Sequence, residues 1–226
     1  MKCKGFVFLA AFAALALGMN ASATTVLSVS ANTPVTFALG GPSYEQILAQ
    51  QFIASSALKN VSVSAQVGNN GQALSTINAW LTTAIGPNET TANVIASATI
   101  APSSSDSMQT LFSGLTLTPG TYYLVLSGGS TTDTEADWWG TNGSTAVTSA
   151  DGVSYNGGDY YYYANVSQLD DAPAVNFNYL PNSLNLNSNV TGDLVSPASA
   201  PEPASEALLI LGAAVGLLFA KHRRTA

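Results

Sequence analysis

The feature that most restricts the fold is a run of strict alternation, Val61-Ser62-Val63-Ser64-Ala65-Gln66-Val67, in which every second residue is apolar. A backbone that sends successive side chains to opposite faces is extended, so this run is a strand with one face buried. A helix would need its apolar residues three and four apart, and at that spacing the run mixes Val with Ser. The same period of two recurs in Val26-Leu27-Ser28-Val29-Ser30, Ile77-Asn78-Ala79-Trp80-Leu81 and Val94-Ile95-Ala96-Ser97-Ala98-Thr99-Ile100. It continues through residues 111–117, 122–126, 160–166 and 175–179, with Gly68-Asn69-Asn70-Gly71, Pro119-Gly120 and Gly128-Gly129 as the turns between strands. Repeated short strands with no regular helix between them predict an all-β chain, an antiparallel β-sandwich of jelly-roll type with two sheets burying their alternate residues face to face. Only residues 44–54 could pass for a helix.

A chain so rich in Ser, Thr and Asn folds only if it buries enough apolar surface. Three Trp, nine Tyr and many β-branched residues meet that need, offsetting the entropy of ordering the chain. One folded domain is expected over residues 24–180. Residues 181–200 shift to Asn, Ser and Pro and read as a linker holding that domain off a membrane, with an edge strand at 184–186 as the alternative.

The membrane enters the reading through the two ends. Lys2 and Lys4, an apolar run over 6–17 and the small residues of Ala21-Ser22-Ala23 form a secretory signal peptide over residues 1–23, with cleavage directed by Ala21 and Ala23. Cys3 precedes the apolar run, so it is not a lipoprotein acylation site. As the only cysteine, it leaves the mature chain with no thiol for a disulfide, a zinc site or a nucleophile. Near the other end, residues 207–220 are apolar with no polar face and include Ala207, Leu208, Leu209, Ile210, Leu211, Leu217, Leu218 and Phe219; Lys221, His222, Arg223 and Arg224 follow. As a helix this segment covers about 21 Å, short of the roughly 30 Å hydrocarbon core. It therefore reads as a weak transmembrane helix with Lys221, Arg223 and Arg224 on the cytoplasmic side.

Charge excludes several functions. Between the ends, residues 24–200 hold Lys59 as their one cation against eleven acids, a formal charge of −10. Nucleic acid is no partner for such a surface, because binding it requires clustered Lys and Arg. The single histidine, His222, belongs to the basic tail, so the domain cannot assemble a Ser-His-Asp triad, a Cys-His pair or a histidine zinc site. A glycosidase-like carboxylate pair could be drawn from Glu135 and Asp137 beside Trp138 and Trp139, but among eleven acids some pair always looks suitable. The domain is read as non-enzymatic and free of cofactors, with one exception to weigh. Asp133, Glu135 and Asp137 alternate, so an extended backbone would gather them on one face that could hold calcium; a solvated loop is the plainer reading, since the EF-hand spacing is missing. Trp138, Trp139 and the Tyr residues of 160–163 could stack on sugar rings. Packing is again the plainer reading, with alternate Tyr side chains entering the core and their neighbours covering the outer face.

Pro201-Glu202-Pro203, a short helix rich in Leu, Ala and Gly, and a terminal Arg cluster, in that order, resemble the PEP-CTERM sorting signal of Gram-negative bacteria over residues 201–226. Glu206 is a mild departure from that pattern. The resemblance implies that an exosortase, a membrane-embedded cysteine transpeptidase-like enzyme, recognises Pro201, Glu202 and Pro203 and cuts nearby. It further implies a precursor held transiently in the inner membrane, then a product at the cell surface or outside the cell, often in bacteria that make exopolysaccharide. A second resemblance, carried by Gln50-Gln51-Phe52, Val61-Ser62-Val63 and the stretch from Leu115-Thr116-Leu117-Thr118-Pro119-Gly120 into Thr121-Tyr122-Tyr123-Leu124-Val125-Leu126, is to the choice-of-anchor sandwich domains of surface proteins, and it brings no catalytic residue. Two functions are thereby expected to compete: a non-enzymatic surface or matrix protein, and a module that binds exopolysaccharide through Trp139 or the strand over 160–163.

Overall fold

The computed structural model describes residues 23–39, 46–69, 76–129, 136–163, 172–181 and 183–195. Among these residues fifteen strands follow one another: β1 (Thr24–Ala31), β2 (Val35–Leu39), β3 (Gln46–Ala54), β4 (Leu58–Gly68), β5 (Ile77–Thr82), β6 (Val94–Ile100), β7 (Ser107–Leu117), β8 (Gly120–Gly128), β9 (Ala136–Thr141), β10 (Thr145–Ser149), β11 (Val153–Ser154), β12 (Asp159–Tyr163), β13 (Asn178–Leu180), β14 (Asn185–Leu186) and β15 (Ser188–Leu194). They form two antiparallel sheets. The larger runs β10-β1-β15-β4-β9-β14, with β2 added on β9 and β7 on β4; the smaller runs β13-β12-β3-β8-β5-β6, with β11 added on β3. The all-β, antiparallel expectation holds.

The alternation of β4 does what its period requires. Val61, Val63, Ala65 and Val67 point inward and are fully buried, while Ser62, Ser64 and Gln66 on the opposite face stay half-exposed. They meet Leu48, Phe52, Ile77, Ala79, Leu81, Leu124 and Leu126 from the smaller sheet in one hydrophobic core. Removing each such Leu or Phe side chain from water contributes about 1.5–3 kcal/mol. Phe52 stacks on Tyr122 with ring centroids 5.4 Å apart. The Tyr122 hydroxyl then donates to the Thr118 carbonyl, which ties down the turn into β8.

Three expectations need correction. Of the expected helix over 44–54, the described part is a strand: Gln46–Ala54 lies centrally between β8 and β12. Its outer residues Ile47 and Ala49 are buried with Val125 beneath Ala172 and Val175 in a second small core, so apolar residues lie on both faces and the period of two is blurred. Covering segment 172–177 begins with a 3-10 turn over 172–174 and contains no strand. The strand expected over 175–179 is confined to Asn178–Leu180, and the Gly86 N–H holds the segment down by donating to the Pro173 carbonyl at 2.8 Å.

The third correction concerns residues 181–200, which the composition assigns to a linker. Here β15 is inserted between β1 and β4 in the middle of the larger sheet, and Leu184, Leu186 and Val190 are buried. The domain therefore continues to residue 194. Its last strands escape a hydrophobicity reading because Asn185, Asn187 and Ser188 take buried positions that apolar residues usually fill. Strands β2, β9, β10 and β11 carry no expectation from periodicity at all; β10, for instance, leaves four of its five residues exposed.

One glycine is required by close approach. A Cβ on Gly140 would lie 2.4 Å from the Asn185 carbonyl oxygen and 3.0 Å from the Leu186 Cα, so β14 can pair with β9 only because no side chain stands there. Among the described residues no helix is long and apolar enough to cross a membrane. The expected signal peptide through residue 22 and the expected transmembrane helix over 207–220 lie outside the described residues.

The correction to the linker is directly measurable. Leu186→Ala should lower the unfolding free energy of the chain in urea by about 2–5 kcal/mol, the cost of a large-to-small change in a core. A side chain in a solvated linker would move it by no more than about 0.5 kcal/mol.

Candidate functional site

Among the described residues hydrophobic contact joins the two sheets nearly everywhere, and at one place hydrogen bonds do. Asp159 opens β12, and strand parity turns it inward on the same face as Tyr161, which packs against the main core. Gln50 of β3 reaches the same point. Facing them from the larger sheet are Asn185, Leu186 and Ser188, and all five residues are buried.

The Leu186 N–H donates to Asp159 Oδ2 at 2.7 Å, and Gln50 Nε2 donates to the same oxygen at 3.4 Å and to the Leu186 carbonyl. Ser188 Oγ donates to Gln50 Oε1. Beside this group the Tyr155 hydroxyl donates to Asn185 Oδ1 at 2.9 Å, while Asn185 Nδ2 donates to the Gly143 carbonyl at 2.9 Å. Asp159 Oδ1 is buried with no hydrogen-bond partner.

These surroundings decide the protonation states. Burial holds the Asp159 carboxyl well above the usual carboxylate range, and the Leu186 N–H, Tyr155 and Gln50 offset only part of that. The Tyr155 hydroxyl is pushed up as well, first by burial and then by Asp159. The node is thus a buried, hydrogen-bonded link between sheets, in which burial biases the Asp159 carboxyl toward its protonated form.

Above the node Ser144, Thr145, Asn156 and the exposed apolar Val147 line a cleft of about 530 Å³, with Tyr155 and the buried Asn185 at its base. Its lining carries hydroxyls, amides and one phenol ring, without a charged side chain. Such a surface can exchange hydrogen bonds with a neutral hydroxylated molecule and stack on one face of it.

The residues singled out in the sequence are scattered. Trp138 is fully buried and its Nε1 donates to the Asn187 carbonyl at 2.9 Å, so it offers no face to a sugar; strand parity sends it to the core. Trp139, on the opposite face of β9, is half-buried. Asp137 shares that face, is buried and pairs in register with Gly68. Asp133 and Glu135 lie outside the described residues, as do Ala21, Pro201, Glu202, Pro203, the apolar segment and Lys221, Arg223 and Arg224. Ala23 is exposed immediately before β1. Among the described residues no group of three or more His, Cys, Asp or Glu side chains could hold a metal ion.

In β12, Tyr160 and Tyr162 cover the outer face of the smaller sheet while Tyr161 turns inward. Tyr160 packs against Tyr179 with ring centroids 4.9 Å apart, and its hydroxyl is pushed up to about 12 by burial and then by Tyr123 and Tyr179. The node itself was not anticipated. Its signal in the sequence is faint: one acid at the head of Asp159-Tyr160-Tyr161-Tyr162-Tyr163, and Leu alternating with Asn over 184–187.

A pH dependence follows from Asp159. Its pKa is higher in the folded than in the unfolded chain, so its contribution to stability is fully present below the unfolded carboxylate value of about 4. That contribution is lost as pH rises through the folded value. Melting temperature should therefore fall between acid and mildly alkaline pH, and Asp159→Asn, neutral throughout, should flatten the fall. Identical slopes for the two proteins would contradict the assignment. No protein-family model, no curated protein and no solved structure matches this chain.

Proposed function

We propose that this chain is a non-enzymatic exported protein, a jelly-roll-like β-sandwich displayed at the surface or in the extracellular matrix of a Gram-negative bacterium. In this reading an exosortase removes its C-terminal transmembrane helix. The observation that carries the proposal is the order Pro201-Glu202-Pro203, apolar residues 207–220, then Lys221, Arg223 and Arg224. The basic end resists crossing the membrane, which leaves the motif on the outer side. Two prolines there oppose helical backbone, so the motif stays extended and open to a membrane protease beside its helix.

The fold supports this reading through its ends. Thr24, the first residue of β1, pairs with Gly192 of β15, so the first and the last described strands end side by side. Cleavage after Ala23 and near Pro201 takes nothing from the core. Residues 195–200 are the whole tether between β15 and the motif and extend to about 20 Å at most. The domain would ride close against the membrane until it is cut free.

Mass spectrometry in an exosortase-bearing host tests the proposal. The wild-type product should lack the residues beyond the cleavage site, whereas Glu202→Ala should retain them and stay with the membrane fraction. A full-length tail on the mature wild-type protein would leave only a membrane-anchored domain.

The uncharged cleft at Tyr155 and Asn185 favours a second reading, in which the displayed domain binds exopolysaccharide. Asn156 is exposed at its rim. Asn156→Ala should then weaken retention on a polysaccharide array without lowering the melting temperature, and unchanged retention would remove this reading.

A further inference from the structure

We infer that Asn156 is a self-modification site, at which the Gly157 nitrogen closes on the Asn156 carboxamide and converts it to aspartate and isoaspartate. Asn followed by Gly is the pair most open to this reaction, because no Cβ obstructs the attacking nitrogen. The described residues contain two such pairs, Asn142-Gly143 and Asn156-Gly157, and Gly143, Asn156 and Gly157 all line the cleft above the node. Both asparagines are exposed, so exposure does not separate them. A third pair, Asn70-Gly71, lies outside the described residues.

What separates the two is the nucleophile. The Gly143 N–H donates to Thr141 Oγ1 at 3.2 Å, and the Gly143 carbonyl accepts from Asn185 Nδ2 at 2.9 Å. That glycine is pinned through both its peptide groups to buried side chains. The Gly157 carbonyl accepts from the Tyr179 hydroxyl at 2.8 Å, while the Gly157 N–H has no acceptor among the described residues. Gly157 has a φ of 70°, in the left-handed region where glycine is the unstrained choice, so the residue that leaves the nitrogen unhindered is also the one this loop requires. The carboxamide is held weakly: Asn156 Nδ2 donates to Gln51 Oε1 at 3.4 Å, near the outer limit of a hydrogen bond.

In the reaction the Gly157 nitrogen bonds to Asn156 Cγ, the Cγ–Nδ2 bond breaks, and the amide leaves as ammonia carrying the glycine's proton. Water then opens the cyclic imide at either carbonyl, giving aspartate or isoaspartate. Each product exchanges a donor for a carboxylate. Gln51 Oε1 then faces another acceptor, and Gln51 Nε2 already donates to the Tyr123 hydroxyl at 3.0 Å. The loop over 155–158 loses its tie to β3, and a cleft lined without charge gains one. Isoaspartate also adds a methylene to the backbone between Tyr155 and Gly158, whose N–H donates to the Tyr155 hydroxyl at 3.2 Å and to Asn185 Oδ1 at 3.3 Å. The change is thereby carried to the node, whether or not the cleft binds polysaccharide.

Peptide mapping of the purified full chain by mass spectrometry, after incubation at mildly alkaline pH, tests the inference, with isoaspartate counted by methyltransferase labelling. Asn156 should convert about fivefold faster than Asn142, since freeing the Gly143 N–H first breaks a hydrogen bond of ordinary net strength. Thr141→Val keeps the shape of the side chain but removes that acceptor, and it should raise the Asn142 rate toward that of Asn156. In urea the wild-type rates should converge, because the dipeptide is the same, and this comparison holds even if the variant unfolds. Equal rates in the folded wild type, or a faster Asn142, would overturn the inference. So would a gap that persists in urea, or an Asn142 rate in Thr141→Val no higher than in the wild type.

Discussion

Apolar contact between two sheets is non-directional, so it holds them together without saying how one should sit on the other. The hydrogen bonds at Gln50, Asp159, Leu186 and Ser188 supply that direction. Three of them run between the sheets, and a displacement that broke them would strand a buried donor or acceptor. Burial biases this acid toward its neutral form, which suits the task, since an unpaired charge at this depth would cost far more than the hydrogen bonds return.

Neutral amides play the same part elsewhere in the domain, which is notable in a chain with one cation between its ends. Asn187 accepts from the Ala31 N–H at 2.7 Å and donates to Gln66 Oε1 at 2.7 Å, while its carbonyl accepts from Trp138 Nε1 at 2.9 Å. One side chain and its backbone thus bind β1, β4 and β9 together. The high Asn content of the chain is therefore structural in part, because an amide both donates and accepts and brings no charge to desolvate.

That use of asparagine marks where the sequence stops being readable. Strands β1, β4, β5 and β6 were legible because each has one face against the core and the other toward solvent, so their period of two survives. Strand β3 was not, because Ile47 and Ala49 pack under Ala172 and Val175 while Leu48 and Phe52 face the main core. Strand β15 was not, because small and polar residues occupy its buried positions. The node was hidden for the same reason: its members are far apart in the chain, Gln50 and Ser188 being 138 residues apart, and none looks buried until the sheets are assembled. Trp138 and Trp139 show the limit of reading residue types alone, since adjacent positions on β9 put one ring in the core and the other on the far face.

The central seat of β15 has a kinetic meaning. Strands β1 and β4 do not touch one another in the larger sheet; each pairs with β15, which is the last strand in the described chain. Contacts of such long sequence separation form late, since their loop-closure entropy is met before any packing rewards it. Whatever delivers this chain from its N-terminus, whether synthesis or passage through a membrane, must deliver residue 194 before the sheet can close. Until then the two halves of that sheet have no common strand, and its core stays open.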